Sequence, residues 1–225
     1  MKNEWKAIKT LLQQSCCKKK WLMSAAFICL GIVWKILLLS GRPEVAEDLS
    51  PLFFAVAGIM PMEILLVNDI SGFVKGSVLR KKIQTTMATK SMFAGTMLSY
   101  LIYLAFLIIL GSVREGQPVA YLRAALVYGV VVCFFGIGNV FLYKFFWAAL
   151  AGIYVICFCV GFVIGIFEDQ IDFVKYWKML SPVGCAVAAV FLIFAGCAIN
   201  LVMTRIFYKR NFSKSAFGAS MRKLV

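Results

Sequence analysis

The chain has 225 residues, of which 62% are hydrophobic and only 15% are charged. This balance lies far outside the usual range of soluble domains and is typical of a membrane protein. The sequence contains no histidine, which excludes catalysis by a histidine base. Its formal net charge of +14 fits either nucleic acid or a membrane surface, and the positions of the cations decide between the two.

Six apolar runs of about 20 residues recur along the chain, and each is long enough to cross roughly 30 Å of hydrocarbon as a helix. A bilayer provides no water for unpaired backbone groups, so uninterrupted runs of this length predict helices. We therefore predict an all-α, polytopic membrane protein with six transmembrane helices. The predicted spans are Trp21 to Ser40, Pro51 to Ile70, Met92 to Ser112, Tyr121 to Phe141, Phe145 to Phe167 and Ser181 to Thr204.

The cations are distributed unevenly between the two sides of these spans. With the N-terminus inside, eighteen of the 24 Lys and Arg residues fall on the inner side and five on the outer side, while Lys35 lies within the first span. Such an excess predicts that both termini are cytoplasmic. The positive charge therefore indicates membrane topology rather than nucleic-acid binding.

Residues 1–20 precede the first span and predict an interfacial amphipathic helix. Four apolar residues share one helical arc and four polar residues share the opposite one. They are Trp5, Ile8, Leu11 and Leu12 against Lys2, Lys6, Lys9 and Gln13. Such a helix lies in the membrane interface with its lysines toward anionic headgroups. An insertion anchor and a mechanical role both fit this pattern. The following run is long and lacks a small-residue cleavage site, which favours a retained span over a signal peptide.

Glu63 follows Pro61 inside the second span, in GIMPMEILLVND. An intramembrane carboxylate is costly unless it faces water, the bundle interior or a partner, so Glu63 is a candidate for the translocation path. Packing or folding is the alternative role. Pro61 frees backbone carbonyls that would help to hydrate the carboxylate. About 1.5 Å of rise per residue places Lys35 about 21 Å and Glu63 about 10 Å from the inner boundary, so we do not expect them to pair.

The segment NDISGFVKGSVLRKKIQTTMATKSMF, residues 68–93, carries five cations and one anion between two apolar spans. Its central part predicts a short helix with apolar groups on two sides. These are Leu79, Ile83 and Met87 on one arc and Val74 and Val78 on another. This pattern suits a segment held between a membrane domain and a cytosolic partner, and a solvated loop is the alternative. We predict a cytoplasmic coupling loop over residues 68–91.

The segment EDQIDFVKYWKMLSP precedes the last span on the outer side. Phe173, Tyr176, Trp177 and Leu180 share one helical arc there. The arc predicts an outer re-entrant segment over residues 168–180, with Phe173, Trp177 and Leu180 as candidates for an outer gate. An ordinary aromatic belt at the membrane interface is the alternative. Residues 205–225 form a predicted basic cytoplasmic tail.

Side chains within the spans indicate packing rather than chemistry. The eight cysteines lie mostly inside spans, which argues against disulfides and against a zinc site. The GFVIG sequence at residues 161–165 has the small-residue spacing of close helix contacts, and Asn139 and Asn200 are expected to form hydrogen bonds between helices.

The motifs of an enzyme are missing. The sequence has neither an HExxH motif nor an intramembrane pair of aspartates. GSVREGQP has the glycine spacing of a phosphate loop, but Gln117 and Pro118 stand where a lysine and a hydroxyl residue are required. We therefore predict that the chain is not an enzyme and binds no metal or cofactor itself. Any ATP hydrolysis requires another polypeptide.

The interfacial helix, the long basic loop and the outer segment together resemble the membrane subunits of type-2 ATP-binding-cassette exporters. The similarity is to small bacterial permeases whose ATPase is a separate polypeptide, and it covers nearly the whole chain. The loop carries the most specific match, and TTMATKS lacks the proline that often follows the threonine in that family. The matching residues are Asn68, Asp69, Ser71, Gly72, Phe73, Thr86 and Lys90.

This resemblance implies a coupling helix in the loop that is gripped by the cytosolic ATPase. The implied coupling residues are Gly72, Phe73, Val74, Lys75, Gly76, Val78, Leu79, Arg80, Lys81 and Lys82. It also implies that the ATPase binds ATP and Mg, that a second permease copy or a paralogue is present, and that the chain lies in the bacterial plasma membrane. The expected cargo is hydrophobic or amphipathic, with peptides favoured. A non-transporting six-span sensor or peptide-immunity protein is the alternative.

Overall fold

A computed structural model describes residues 18–40, 48–70, 80–145, 147–149, 151–152, 155 and 179–209. Helix dominates these ranges and no strand occurs within them, in agreement with the predicted all-α class. Within these described ranges, five long helices form the bundle. They are α1 (Lys18–Ser40), α2 (Ser50–Ile70), α3 (Arg80–Glu115), α4 (Ala124–Lys144) and α5 (Pro182–Ile206).

Four helices are long and apolar enough to cross a membrane, namely α1, α3, α4 and α5. Helix α2 has 21 residues, and the part of it whose side chains are described, Ser50–Leu66, is apolar. The predicted fifth span lies mostly outside the described residues, as do the N-terminal interfacial helix, the GFVIG sequence and most of the outer segment and the tail. The described part of the chain is therefore all-helical with four candidate membrane-spanning helices, and the number six stays a prediction.

Helices α1 to α4 run in alternating directions through the bundle, and α5 runs parallel to α4. Helix α1 packs on α2, α2 packs on α3 and α4, and α5 packs on α4 and α3. The start of α1 and α3 and the end of α2, α4 and α5 share one end of the bundle, which we call the basic end. The described cations there are Lys18, Lys19, Lys20, Arg80, Lys81, Lys82, Lys90, Lys144, Arg205 and Lys209.

Helix covers both ends of the predicted coupling loop. Asn68, Asp69 and Ile70 belong to α2, and residues 80–91 belong to α3. The predicted span from Met92 therefore begins twelve residues earlier in the structure, at Arg80. Ile83 and Met87 are buried inside the bundle, because they continue the apolar face of α3 rather than an independent short helix. Only residues 71–79 of the loop lie outside the described residues.

Helices α4 and α5 approach each other through glycines. A Cβ atom at Gly136 would lie 2.2 Å from the backbone oxygen of Gly196, and a Cβ atom at Gly129 would lie 2.7 Å from the Cα of Ala189. Because these backbones nearly touch, the Asn200 amide of α5 reaches the Gly136 carbonyl of α4 at 3.2 Å. This small-residue seam was not predicted from the sequence. It lets the backbones of α4 and α5 come into close contact.

Pro61 lies inside α2, where its missing N–H leaves the carbonyl of Ala57 without its normal helical partner. The Ser24 hydroxyl of α1 donates to this carbonyl at 2.9 Å. The freed carbonyl is therefore satisfied by a neighbouring helix, as a bilayer requires. This arrangement corrects our expectation that the carbonyl would help to hydrate Glu63.

Lys35 forms a buried ion pair with Asp48 at the opposite end of the bundle. Asp48 also accepts from the backbone N–H of Ser50 at 3.0 Å, so the pair ties α1 to the start of α2. Glu63 has a different partner, as described below, and the expectation that Lys35 and Glu63 do not pair is confirmed.

Nearby, burial and a hydrogen bond to Glu115 raise the pKa of the Tyr121 hydroxyl.

We expect Gly136→Ala to destabilise the bundle by about 1–3 kcal/mol, because its methyl group would force α4 and α5 apart. The measurement is the free energy of unfolding from SDS titration in mixed micelles. Gly138→Ala is the matched control, since a Cβ atom at Gly138 meets no atom within 4 Å. Equal effects of the two substitutions would contradict the close α4–α5 contact.

We expect Ser24→Ala to lower the free energy of unfolding by about 0.5–2 kcal/mol, because the Ala57 carbonyl loses its hydrogen-bond donor inside the membrane. The same SDS titration measures the change. Ser112→Ala serves as the control, because the exposed Ser112 hydroxyl bonds only to Ile108 of its own helix. A Ser24→Ala variant as stable as this control would show that the carbonyl needs no partner from α1.

Candidate functional site at the basic end

The Glu63 carboxylate of α2 forms an ion pair with Lys20 of α1, with Nζ and Oε2 2.8 Å apart. Their side chains are 21% and 26% exposed, so the pair lies at the edge of the bundle rather than in its centre. Tyr143 of α4 is a hydrogen-bond neighbour of the same carboxylate. Glu63 therefore connects three helices, and its negative charge is compensated by a neighbouring cation.

Lys144 is the last residue of α4 and is only 6% exposed. Its ammonium group donates to the backbone oxygen of Phe207 at 2.6 Å and lies 3.5 Å from the Gln84 side-chain oxygen of α3. Phe207 directly follows α5. Lys144 thus links α3, α4 and the end of α5.

Asn200 of α5 is completely buried and bridges two further helices. Its side chain accepts from the Thr89 hydroxyl of α3 at 3.2 Å and donates to the Gly136 carbonyl of α4. The prediction of a hydrogen bond between helices is therefore confirmed for Asn200. The buried Nδ2 of Asn139 has no hydrogen-bond partner among the described residues.

A small cavity of about 20 Å³ separates these polar side chains. Asn139, Asn200, Gln84 and Lys144 contribute to its lining, together with apolar residues of α2, α3 and α4. Its volume is close to that needed for one water molecule, and its walls carry the polar groups that such a water requires. We call these four polar lining residues, together with Lys20, Glu63, Tyr143 and Thr89, the inner polar network.

Ile83–Met87 adopts a π-helical turn within α3, next to the inner polar network. Gln84 and Thr85 are buried in this turn, and the Thr85 hydroxyl donates to the Lys81 carbonyl at 2.7 Å. Turns of this kind interrupt the regular helix ladder and often occur at functional sites. Here the turn separates the exposed basic start of α3 from its transmembrane part.

The predicted coupling residues divide at the boundary of the described structure. Gly72 to Leu79 lie outside it, whereas Arg80, Lys81 and Lys82 form the first turn of α3. Lys81 and Lys82 are exposed, and the Lys81 ammonium lies 5.0 Å from the centre of the Tyr208 ring. The three described coupling residues thus directly precede the π-helical turn that contacts the inner polar network.

Leu180 is the only predicted outer-gate residue within the described ranges, since Phe173 and Trp177 fall outside them. Its side chain is exposed, and its backbone oxygen accepts from the Arg123 guanidinium at 2.8 Å. Leu180 lies beside the start of α4 and α5, at the opposite end from Glu63. The gate role stays a prediction.

Sequence reasoning identified Glu63 but missed Lys20, Gln84, Tyr143 and Lys144 as its neighbours in the network. Lys20 was not identified as the partner of Glu63, because nothing in a single helix indicates which cation faces an acid on another. The burial of Lys144 could have been predicted from its sequence context. A lysine that ends an apolar helix and has no polar residues beside it must find partners nearby.

Comparisons with protein-family models, with curated proteins and with solved structures find no match to this chain. The fold and the inner polar network define a helical membrane protein whose charged and amide side chains are joined across helices.

We expect a double-mutant cycle of Lys20→Gln and Glu63→Gln to give a coupling energy of about 1 kcal/mol, because each single substitution leaves a partly buried charge without its partner. The free energy of unfolding in mixed micelles provides the measurement. Lys19→Gln replaces Lys20→Gln in the control cycle, since Lys19 is exposed. Additive effects of Lys20→Gln and Glu63→Gln would mean that the ion pair contributes nothing.

Proposed function

We propose that the chain is the transmembrane permease subunit of an ATP-driven exporter, coupled to a separate cytosolic ATPase through the segment between α2 and α3. The supporting observation is the position of this segment. Residues 80–82, which follow it in the sequence, lead directly into the π-helical turn of α3, where Gln84 lies against Lys144 of α4. A partner that pulls on this segment therefore acts on the inner polar network directly.

The inner polar network suits a bundle that changes between two arrangements. Lys144 of α4 contacts both Gln84 of α3 and the Phe207 carbonyl that follows α5. A shift of α3 therefore changes the contact between α3 and α4 and, through Lys144, the contact between α4 and the end of α5. Polar groups in a membrane favour discrete pairings, because an unpaired group is costly there. In our proposal, closure of the ATPases shifts α3 and exchanges these pairings between inward-open and outward-open states.

The charge distribution supports a cytosolic partner at the basic end. Lys81 and Lys82 are exposed there, and an excess of Lys and Arg marks the cytoplasmic side of a membrane protein. We propose six spans with both termini cytoplasmic, in the bacterial plasma membrane. The chain itself binds no nucleotide in this proposal, and ATP and Mg belong to the ATPase.

We further propose that two permease chains form the route, since a bundle of this size is too small to enclose one alone. The second chain is another copy or a paralogue. The apolar and aromatic character of the spans favours a hydrophobic or amphipathic cargo such as a peptide. In this proposal Glu63 lines the inner end of the route, where it forms the ion pair with Lys20.

The test is affinity purification of the tagged chain from its native membrane, followed by mass spectrometry of the proteins that accompany it. We expect a soluble ATPase in stoichiometric amount. Replacing residues 72–79 with a Gly/Ser linker should remove this ATPase while leaving the buried turn at Ile83–Met87 unchanged in sequence. The matched control replaces residues 41–47, which follow α1 at the opposite end.

Retention of the ATPase by the 72–79 variant would show that another surface holds the partner. If the intact chain purifies without any ATPase, the exporter proposal is wrong. A regulatory protein in place of the ATPase would instead support a sensor or peptide-immunity protein that uses the same segment.

A further inference from the structure

A crevice of about 180 Å³ lies between α1, α2 and α3, in the half of the bundle near the basic end. Trp21 and Ile28 of α1 form one wall, and Leu98 and Ile102 of α3 form the other. Pro61 of α2 contributes to the lining between them. Apolar cavities of about 150 Å³ accept a molecule the size of benzene, so this crevice is large enough for part of a hydrocarbon chain.

The crevice opens onto the apolar surface of the bundle. Trp21 is 41% exposed, Leu98 is 61% exposed and Ile102 is 38% exposed. In a membrane, side chains of this kind face the acyl chains of the lipid. Trp21 and Ile28 are seven residues apart on α1, which is about 10 Å of helix, so the crevice lies within the depth of one leaflet.

One hydroxyl group in the lining has no protein partner. Of the three lining serines, Ser24 donates to Ala57 and Ser99 donates to Phe54. The Ser91 hydroxyl is buried and has no hydrogen-bond partner among the described residues. An unsatisfied hydroxyl in an apolar environment is unfavourable, and an acceptor on a bound molecule would remove this cost.

Positive charge lies at the end of the crevice. Lys18 precedes Trp21 by three residues and therefore shares its face of α1. Lys18 and Lys19 are exposed, whereas Lys20 is paired with Glu63. Two lysines beside a tryptophan at a helix end match the headgroup region of an anionic lipid.

We propose that this crevice binds an anionic phospholipid from the leaflet at the basic end. One acyl chain lies between α1 and α3, an ester carbonyl accepts a hydrogen bond from Ser91, and the phosphate lies beside Lys18 and Lys19. The bound lipid therefore places its charged headgroup beside the lysines and its apolar tail in the crevice. The inference does not depend on the exporter function.

Quenching of Trp21 fluorescence by brominated lipids tests this site. The four other tryptophans are replaced with phenylalanine, and the variant is reconstituted into phosphatidylcholine vesicles. The vesicles contain equal mole fractions of either brominated phosphatidylglycerol or brominated phosphatidylcholine. We expect the anionic quencher to bind about 25-fold more strongly, because each of the two lysines near the membrane surface contributes about fivefold.

Two pairs of variants separate the crevice from general attraction to the membrane. Ala94→Phe fills the crevice at an exposed position in its lining, and Ala105→Phe adds the same ring to an exposed position of α3 outside it. The Lys18→Gln/Lys19→Gln variant removes the charges, and Arg205→Gln/Lys209→Gln removes two exposed charges from the end of α5. Only the first member of each pair should abolish the preference for the anionic lipid.

Equal quenching by the two lipids in the parent variant would overturn the proposal. A preference that survives Ala94→Phe would also overturn it, because the lipid would then be held by surface charge alone. Crosslinking of the Leu98→Cys variant to a second copy, or to residues 1–17 of the same chain, would show that protein occupies the crevice instead. Circular dichroism and size exclusion confirm that each variant is folded before quenching is compared.

Discussion

The structure depends on one constraint, which is that polar groups inside a bilayer must find partners within the protein because lipid provides none. The described helices meet this constraint in pairs that cross from one helix to another. Ser24 of α1 satisfies the carbonyl that Pro61 frees in α2, and Lys35 of α1 pairs with Asp48 before α2. Through these contacts, the polar residues hold the helices of an otherwise apolar bundle together.

The same constraint explains why the basic end is the candidate functional site. Glu63, Lys144 and Asn200 bring acidic, basic and amide groups to one end, and their partners come from α1, α3, α4 and the residue that follows α5. Because each residue contacts another helix, movement of one helix changes the partners of the others. The π-helical turn at Ile83–Met87 places this network at the end of the segment proposed to bind an ATPase.

The proposed lipid site and the proposed coupling site use different surfaces of the same end. The crevice lies between α1 and α3 and faces lipid, whereas Gln84 and Lys144 face the interior. Ser24 lines the crevice and also donates to the Ala57 carbonyl. Pro61 frees this carbonyl, so the crevice forms where the helical hydrogen bonding of α2 is interrupted. A bound lipid would therefore contact the helix that carries Glu63 without entering the inner polar network.

The sequence by itself determined the membrane environment and the helical class, because long apolar runs permit no other backbone arrangement in lipid. It also separated Lys35 from Glu63, because helical rise fixes their depths. Only the tertiary structure decided which groups meet. Lys20 rather than Lys35 faces Glu63, Lys144 is buried against Phe207, and Gly136 meets Gly196. These pairings depend on the rotation and approach of separate helices, for which the periodicity of any one helix carries no information.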